Sequence, residues 1–166
     1  MVKDRDRLFS EAIAELGPAL ARTAAGYEAD REQRRDLLQE MHTALWRSLE
    51  NFDGRCSLKT WTWRVSHNVG SAHLSRRRVS FVELEDFAVE AHTEERLDRT
   101  RALQRLTALV HALEAGDRQL LLLYLEGLDA GVISEVTGLS TSNVATRIHR
   151  LKALLARRFH EGARHG

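Results

Sequence analysis

The stretch that decides the fold is residues 129–150, Asp129-Ala-Gly-Val-Ile-Ser-Glu-Val-Thr-Gly-Leu-Ser-Thr-Ser-Asn-Val-Ala-Thr-Arg-Ile-His-Arg150. Asp129 is placed to cap a short helix over 130–137 that carries Val132, Ile133 and Val136. Gly138-Leu139-Ser140 then makes a tight turn, because glycine accepts the left-handed conformation that ends a helix. Ser140 or Thr141 caps the next helix. In it Val144, Ile148, Leu151 and Leu155 form one apolar stripe, and Ser142, Asn143, Thr146, Arg147 and Arg150 stand on the other side. Short hydrogen-bonding side chains and arginines in the first half of a helix, with no acid next to them in sequence, are what reading base edges in a major groove requires. The expectation is a DNA-contacting helix-turn-helix. The plainer alternative is a three-helix bundle with a polar outer face.

Upstream, Arg101–Leu113 and Asp117–Leu125 are expected as helices, with Gly127 where the second should stop. They complete a C-terminal helical unit over 100–166. An N-terminal unit over 1–78 is built the same way. A first helix is expected over Arg7–Ala25, with Pro18 as a kink or break. A second starts near Asp30 and carries Leu37, Leu38, Met41, Leu45 and Leu49 at helical spacing. Asn51-Phe-Asp-Gly-Arg55 has turn chemistry, and Ser57 is a suitable cap for a third helix ending around 76–78. Residues 79–99 are acidic, lack sustained periodicity and are expected as a linker.

Composition agrees. The 166 residues are 43% hydrophobic and 30% charged, with 6% aromatics and one proline. A chain rich in Leu, Ala, Arg and Glu and poor in β-favouring aromatics is expected to be all-α. No apolar run reaches the ~18 residues of a transmembrane helix. The opening residues MVKDRDRLFSEA lack the apolar stretch of a signal peptide, so the expected location is cytoplasmic. Cys56 stands alone, which excludes an internal disulfide and a multi-cysteine zinc cluster. The eight histidines include no HExxH, so neither a metal nor another cofactor is expected. No nucleophile–base–orienter constellation and no phosphate-binding glycine loop is present, so catalysis is not expected.

Net charge is only +1, but it is unevenly spread: +3 over 1–78, −5 over 79–100 and +3 over 101–166. Two windows contain no acid. Gly54–Val82 holds Arg55, Lys59, Arg64, Arg76, Arg77 and Arg78, and Val136–His160 holds Arg147, Arg150, Lys152, Arg157 and Arg158. Two basic faces separated by an acidic segment suggest two contacts with one polyanion. The plainer reading is solvated surface. Arginine outnumbers lysine 22 to 3, which suits bidentate contacts to phosphate and guanine.

In the third helix Leu58, Trp61, Val65, Val69 and Ala72 share a face, which is expected to be core. Lys59, Trp63, Ser66, His67 and Gly70 fall opposite. Trp63 is therefore expected on a basic surface beside Lys59 and His67, where an aromatic among cations suits stacking on unpaired bases. The competing reading packs Trp63 against the preceding helix. The 51–56 loop is a candidate wall of a base pocket.

Asp36-Leu-Leu-Gln-Glu-Met41, Leu45-Trp46, Phe52-Asp-Gly-Arg55, Thr60-Trp61, Arg64-Val65 and Asn68 resemble region two of the extracytoplasmic-function sigma factors of bacterial RNA polymerase. Leu113, Asp117-Arg-Gln-Leu-Leu-Leu-Leu-Tyr-Leu-Glu-Gly-Leu128, Ile133, Gly138-Leu-Ser140 and Asn143-Val-Ala-Thr-Arg-Ile-His-Arg150 resemble region four. The resemblance implies an alternative sigma factor that binds core RNA polymerase and promoter DNA. Region two would dock on the clamp coiled coil and capture the melted minus-ten element. Region four would sit on the flap and read the minus-thirty-five element as duplex. It implies core binding by Asp36, Gln39 and Glu40. It implies DNA contact by Lys59, Trp63, Arg64, His67, Asn68, Arg76 and Arg77, and by Ser142, Asn143, Thr146, Arg147 and Arg150. An anti-sigma partner is a further expectation, since many members are so regulated.

Three positions depart from the family pattern. Ala130-Gly131 stands where an aromatic and an acid are usual, Ser134 replaces a usual alanine, and Glu114-Ala115 replaces a common proline pair. Gly131 should weaken its helix by up to about 1 kcal/mol relative to Ala. Two other functions fit the residues less fully: an autonomous helix-turn-helix regulator, and a nucleic-acid hydrolase using Asp36, Glu40 and His42.

Overall fold

The computed structural model describes residues 2–77 and 94–164, all helices and short turns. The helices are α1 (Val2–Tyr27), α2 (Arg31–Ser48), α3 (Leu58–Arg77), α4 (Glu94–His111), α5 (Ala115–Leu125), α6 (Ala130–Thr137) and α7 (Thr141–Arg164), with a 3-10 turn over Leu49–Asn51. The expected caps form. Thr60 N–H donates to Ser57 Oγ at 3.0 Å, Val132 N–H to Asp129 Oδ1 at 2.9 Å and Asn143 N–H to Ser140 Oγ at 3.2 Å. Asp30 caps α2 by accepting from the Glu32 and Gln33 amides. Gly138 ends α6 with φ +77°, a conformation that favours glycine.

Two boundaries differ from the sequence expectation. Pro18 does not break α1, which runs for 26 residues with the proline inside it. Pro18 and Ala14 both lie on the exposed side, where the carbonyl that loses its donor can turn to water. α4 begins at Glu94 rather than near Arg101, so residues 94–99 of the expected linker are helix. The rest of that linker, 79–93, lies outside the described residues, as does Arg78.

Helices α1–α3 pack as one unit and α4–α7 as another. In the second, the stripe Val144, Ile148, Leu151 and Leu155 is buried as expected, against Val110, Leu113, Leu120, Leu121, Leu123, Ile133 and Val136. Leu16, Ala19, Leu20 and Trp63 from the first unit belong to this same apolar cluster, so the units share a core. Ser134, one departure from the family pattern, donates from Oγ to the Leu139 carbonyl at 2.5 Å and ties down the turn between α6 and α7.

The arrangement of α3 corrects the sequence reading. Leu58, Trp61, Val65 and Val69 are only half-buried, against α1 and α2, and Ala72 is exposed. Trp61 reaches Ser48 Oγ with its Nε1–H at 2.9 Å and meets the Phe52 ring edge-on. The opposite face is the more deeply buried one: Thr60, Trp63, Ser66, His67 and Gly70, with Trp63 at 1% exposure and His67 at 0%. Trp63 and His67 are thus not on a solvent-facing basic surface. The helix is covered on both sides, and periodicity within one segment cannot reveal a second unit packed on its polar face. Gly70 has a local reason, since a Cβ there would fall 2.4 Å from the Tyr27 ring.

Candidate nucleic-acid interface

The C-terminal site is built on α7. Its buried stripe fixes the rotation of the helix, which leaves Ser142, Asn143, Thr146 and Arg150 exposed on one side of the first three turns. Arg147 is held differently. Its Nη2 donates to Asp117 Oδ1 at 2.6 Å, and both side chains are about one-third exposed. The acid missing around Arg147 in sequence is supplied by α5, 30 residues earlier. Asp117 fixes the guanidinium while leaving part of its donor fork open. Further along, Lys152 lies over the Tyr124 ring at 5.1 Å, and Arg157 and Arg158 are exposed.

In the N-terminal unit the acid-free window of α3 likewise meets acids from other helices. Lys59 pairs with Glu15 at 3.3 Å and Arg76 with Glu40 at 3.1 Å. Arg77 pairs with Glu28, whose side chain is fully buried and also meets His73 Nε2 at 2.6 Å and the Asp30 amide at 2.9 Å. Burial works to raise the Glu28 pKa, but the hydrogen bonds from His73, the Asp30 amide and Arg77 outweigh it and hold the carboxyl below its usual range. Arg64 Nη2 donates to the Glu135 backbone carbonyl at 2.8 Å.

Asp36, Gln39 and Glu40 are all exposed on α2. With Arg47, Asn68 and Arg76 they line an open groove of about 870 Å³ between α2 and α3. The candidate core-binding residues and two of the candidate DNA-binding residues therefore share one groove rather than occupying separate faces. His42 sits elsewhere on α2, edge-on to Phe9, so Asp36, Glu40 and His42 do not converge as a hydrolase would need. Among the described residues no three His, Cys, Asp or Glu side chains group as a metal site, and no helix is long and apolar enough to cross a membrane.

His67 and Tyr27 form a buried pair, with Tyr27 Oη 2.7 Å from His67 Nδ1. Burial lowers the His67 pKa to about 3, so the imidazole is neutral near pH 7. Burial likewise pushes the Tyr27 phenol above its usual range. His67 Nε2, Trp63 Nε1 and Ser66 Oγ are buried with no hydrogen-bond partner. Sequence reasoning missed the residues that hold the basic side chains in place: Glu28 for Arg77, Asp117 for Arg147 and the Glu135 carbonyl for Arg64. For the burial of the α3 face the available signal was Gly70, a glycine inside a helix that marks a close approach, here to the Tyr27 ring.

Among the described residues the protein is all-helical, with a helix-turn-helix in one unit and a groove lined by acids and arginines in the other. Residues 12–79 match sigma-70 region 2 and residues 103–155 match sigma-70 region 4, together most of the chain. The protein belongs to the sigma-70 family, in its extracytoplasmic-function group, as an alternative sigma factor that directs promoter recognition and transcription initiation. It is 26% identical to the RNA polymerase sigma factor CnrH of Cupriavidus metallidurans over 163 residues, covering 90% of this chain and 85% of the relative. Its fold matches the structure of CnrH in complex with the cytosolic domain of CnrY (TM-score 0.66, 23% identity, 94% of this chain and 90% of that one). It also matches the sigma factor RpoE in complex with the anti-sigma factor NepR from Bartonella quintana (TM-score 0.72, 20% identity, 92% and 96%).

Proposed function

We propose that the two units divide promoter recognition. Residues 1–78 hold core polymerase through Asp36, Gln39 and Glu40 and the melted minus-ten strand through α3. Residues 100–166 read the minus-thirty-five duplex through α7. The observation that carries the reading is the exposed row Ser142, Asn143, Thr146 and Arg150, set opposite a buried stripe that fixes its direction. The protein contributes binding and leaves the chemistry to polymerase. It acts in the cytoplasm, and an anti-sigma protein is its regulatory partner, as the complexes of CnrH and RpoE suggest.

The test is a binding series over single-base promoter variants at two salt concentrations. An arginine bidentate to guanine gives about 1–3 kcal/mol of discrimination, whereas a lost phosphate contact weakens all sequences alike. Arg147→Ala and Arg150→Ala should each relax preference at one or two base pairs. Lys152→Ala and Arg157→Ala should lower affinity uniformly and reduce the salt slope by about one contact each. Equal losses on every variant for both arginine changes would make α7 a backbone clamp and overturn the assignment.

A further inference from the structure

Of the two arginines in the first three turns of α7, Arg147 alone has its position set by another helix. Residues 143, 146, 147 and 150 lie three and four apart and so share a face. Asn143, Thr146 and Arg150 are exposed there, and Arg150 pairs with no described residue. Arg147 donates from Nη2 to Asp117 Oδ1 at 2.6 Å, with the two side chains 32% and 37% exposed. Asp117 stands in the first turn of α5. Its neighbour Gly116 makes room for the guanidinium, since a Cβ there would fall 3.3 Å from Arg147 Nη2. Glycine weakens a helix relative to alanine, and here the weaker residue keeps the ion pair uncrowded.

A guanidinium carries its five N–H donors on a rigid fork with two edges, Nε with Nη2 and Nη2 with Nη1. One hydrogen bond from Nη2 leaves the other edge whole, so Arg147 can still hold a guanine through two parallel bonds. The carboxylate has two further effects. It cancels much of the charge that Arg147 would otherwise offer a phosphate, so the side chain gains little from the DNA backbone and depends on a base edge. It also orders a long side chain before DNA arrives, which removes that cost from binding.

Resting on the reading of α7 as the minus-thirty-five reader, we propose that Asp117 is a specificity-positioning residue of that site. It aims Arg147 at a base edge and withholds it from phosphates, although Asp117 itself belongs to α5 and not to the recognition helix. Removing the carboxylate while keeping its shape turns Arg147 into a mobile cation. Base preference then falls while sequence-independent attraction to DNA rises.

The experiment uses the full chain with core polymerase on a promoter mapped with the unaltered protein. Binding is measured on single-base variants of its minus-thirty-five element at two salt concentrations. Asp117→Asn should reduce preference about two- to ten-fold, the ordering cost of one long side chain, at the same base pairs as Arg147→Ala. It should also steepen the salt dependence by about one released counterion. Asp117→Asn combined with Arg147→Ala should lose no more preference than Arg147→Ala alone. A carboxylate that served only to pack α5 on α7 would weaken all sequences alike, leave the salt slope unchanged and add its effect to that of Arg147→Ala. Any one of these three results would overturn the proposal. Uniform losses for Arg147→Ala on every variant would instead refute the α7 reading, and the role of Asp117 with it.

Discussion

Replacing His67 with glutamine tests the buried α3 stripe through pH. His67 is fully buried, with a pKa lowered from 6.5 to about 3 by desolvation. The unfolded chain binds a proton near pH 6.5 and the folded chain does not, so the stability tied to neutral His67 is complete above about pH 6.5. It falls as pH drops through the window from 6.5 to 3. Each unit of separation is about 1.36 kcal/mol, so the loss between pH 7.5 and pH 5 is about 2 kcal/mol from this residue. His42 and His111, also lowered by burial, add acid sensitivity of the same sign, but they are common to both proteins and cancel in the comparison. Glutamine retains an acceptor for the Tyr27 hydroxyl and has no proton to gain. Urea unfolding at pH 7.5 and pH 5 should therefore show the His67→Gln protein losing about 2 kcal/mol less than the unaltered one. Equal losses would mean that solvent reaches His67 in the folded protein and that nothing covers the stripe.

Other changes probe the remaining contacts. Gly70→Ala should lower stability by about 1–3 kcal/mol in urea unfolding despite better helix propensity, because its Cβ meets the Tyr27 ring at 2.4–2.8 Å; a stabilised protein would mean that α1 and α3 are not packed this closely. Trp63→Ala should cost about 3–5 kcal/mol as a buried truncation, against almost nothing for a surface aromatic; an unchanged urea midpoint would refute the burial. Glu40→Arg should weaken the complex with core polymerase in a direct binding assay. Intact core affinity with reduced promoter binding would move Glu40 to the DNA side.

What the sequence shows and what it hides have a common physical origin. Caps and stops are local, and Ser57, Asp129, Ser140 and Gly138 act within a few residues of where they stand, so these boundaries were legible. So was the rotation of α7, whose single apolar stripe meets a single core. The α3 face was not legible, because that helix is covered on both sides and its deeper face is polar: Thr60, Ser66 and His67. Charge pairing was hidden for the same reason. Glu15, Glu28, Glu40 and Asp117 reach the basic windows from 30 to 49 residues away in sequence. Neither the unbroken course of α1 through Pro18 nor the early start of α4 could be read from local rules, since packing overrides both.

Promoter-directed initiation is the activity on which every assigned contact depends. In-vitro transcription of genomic DNA fragments by core polymerase, with and without this protein, measures it directly. The account predicts new, discrete start sites only when the protein is present, each preceded by a shared pair of elements at minus ten and minus thirty-five. Start sites that do not change when the protein is added to core polymerase would contradict it.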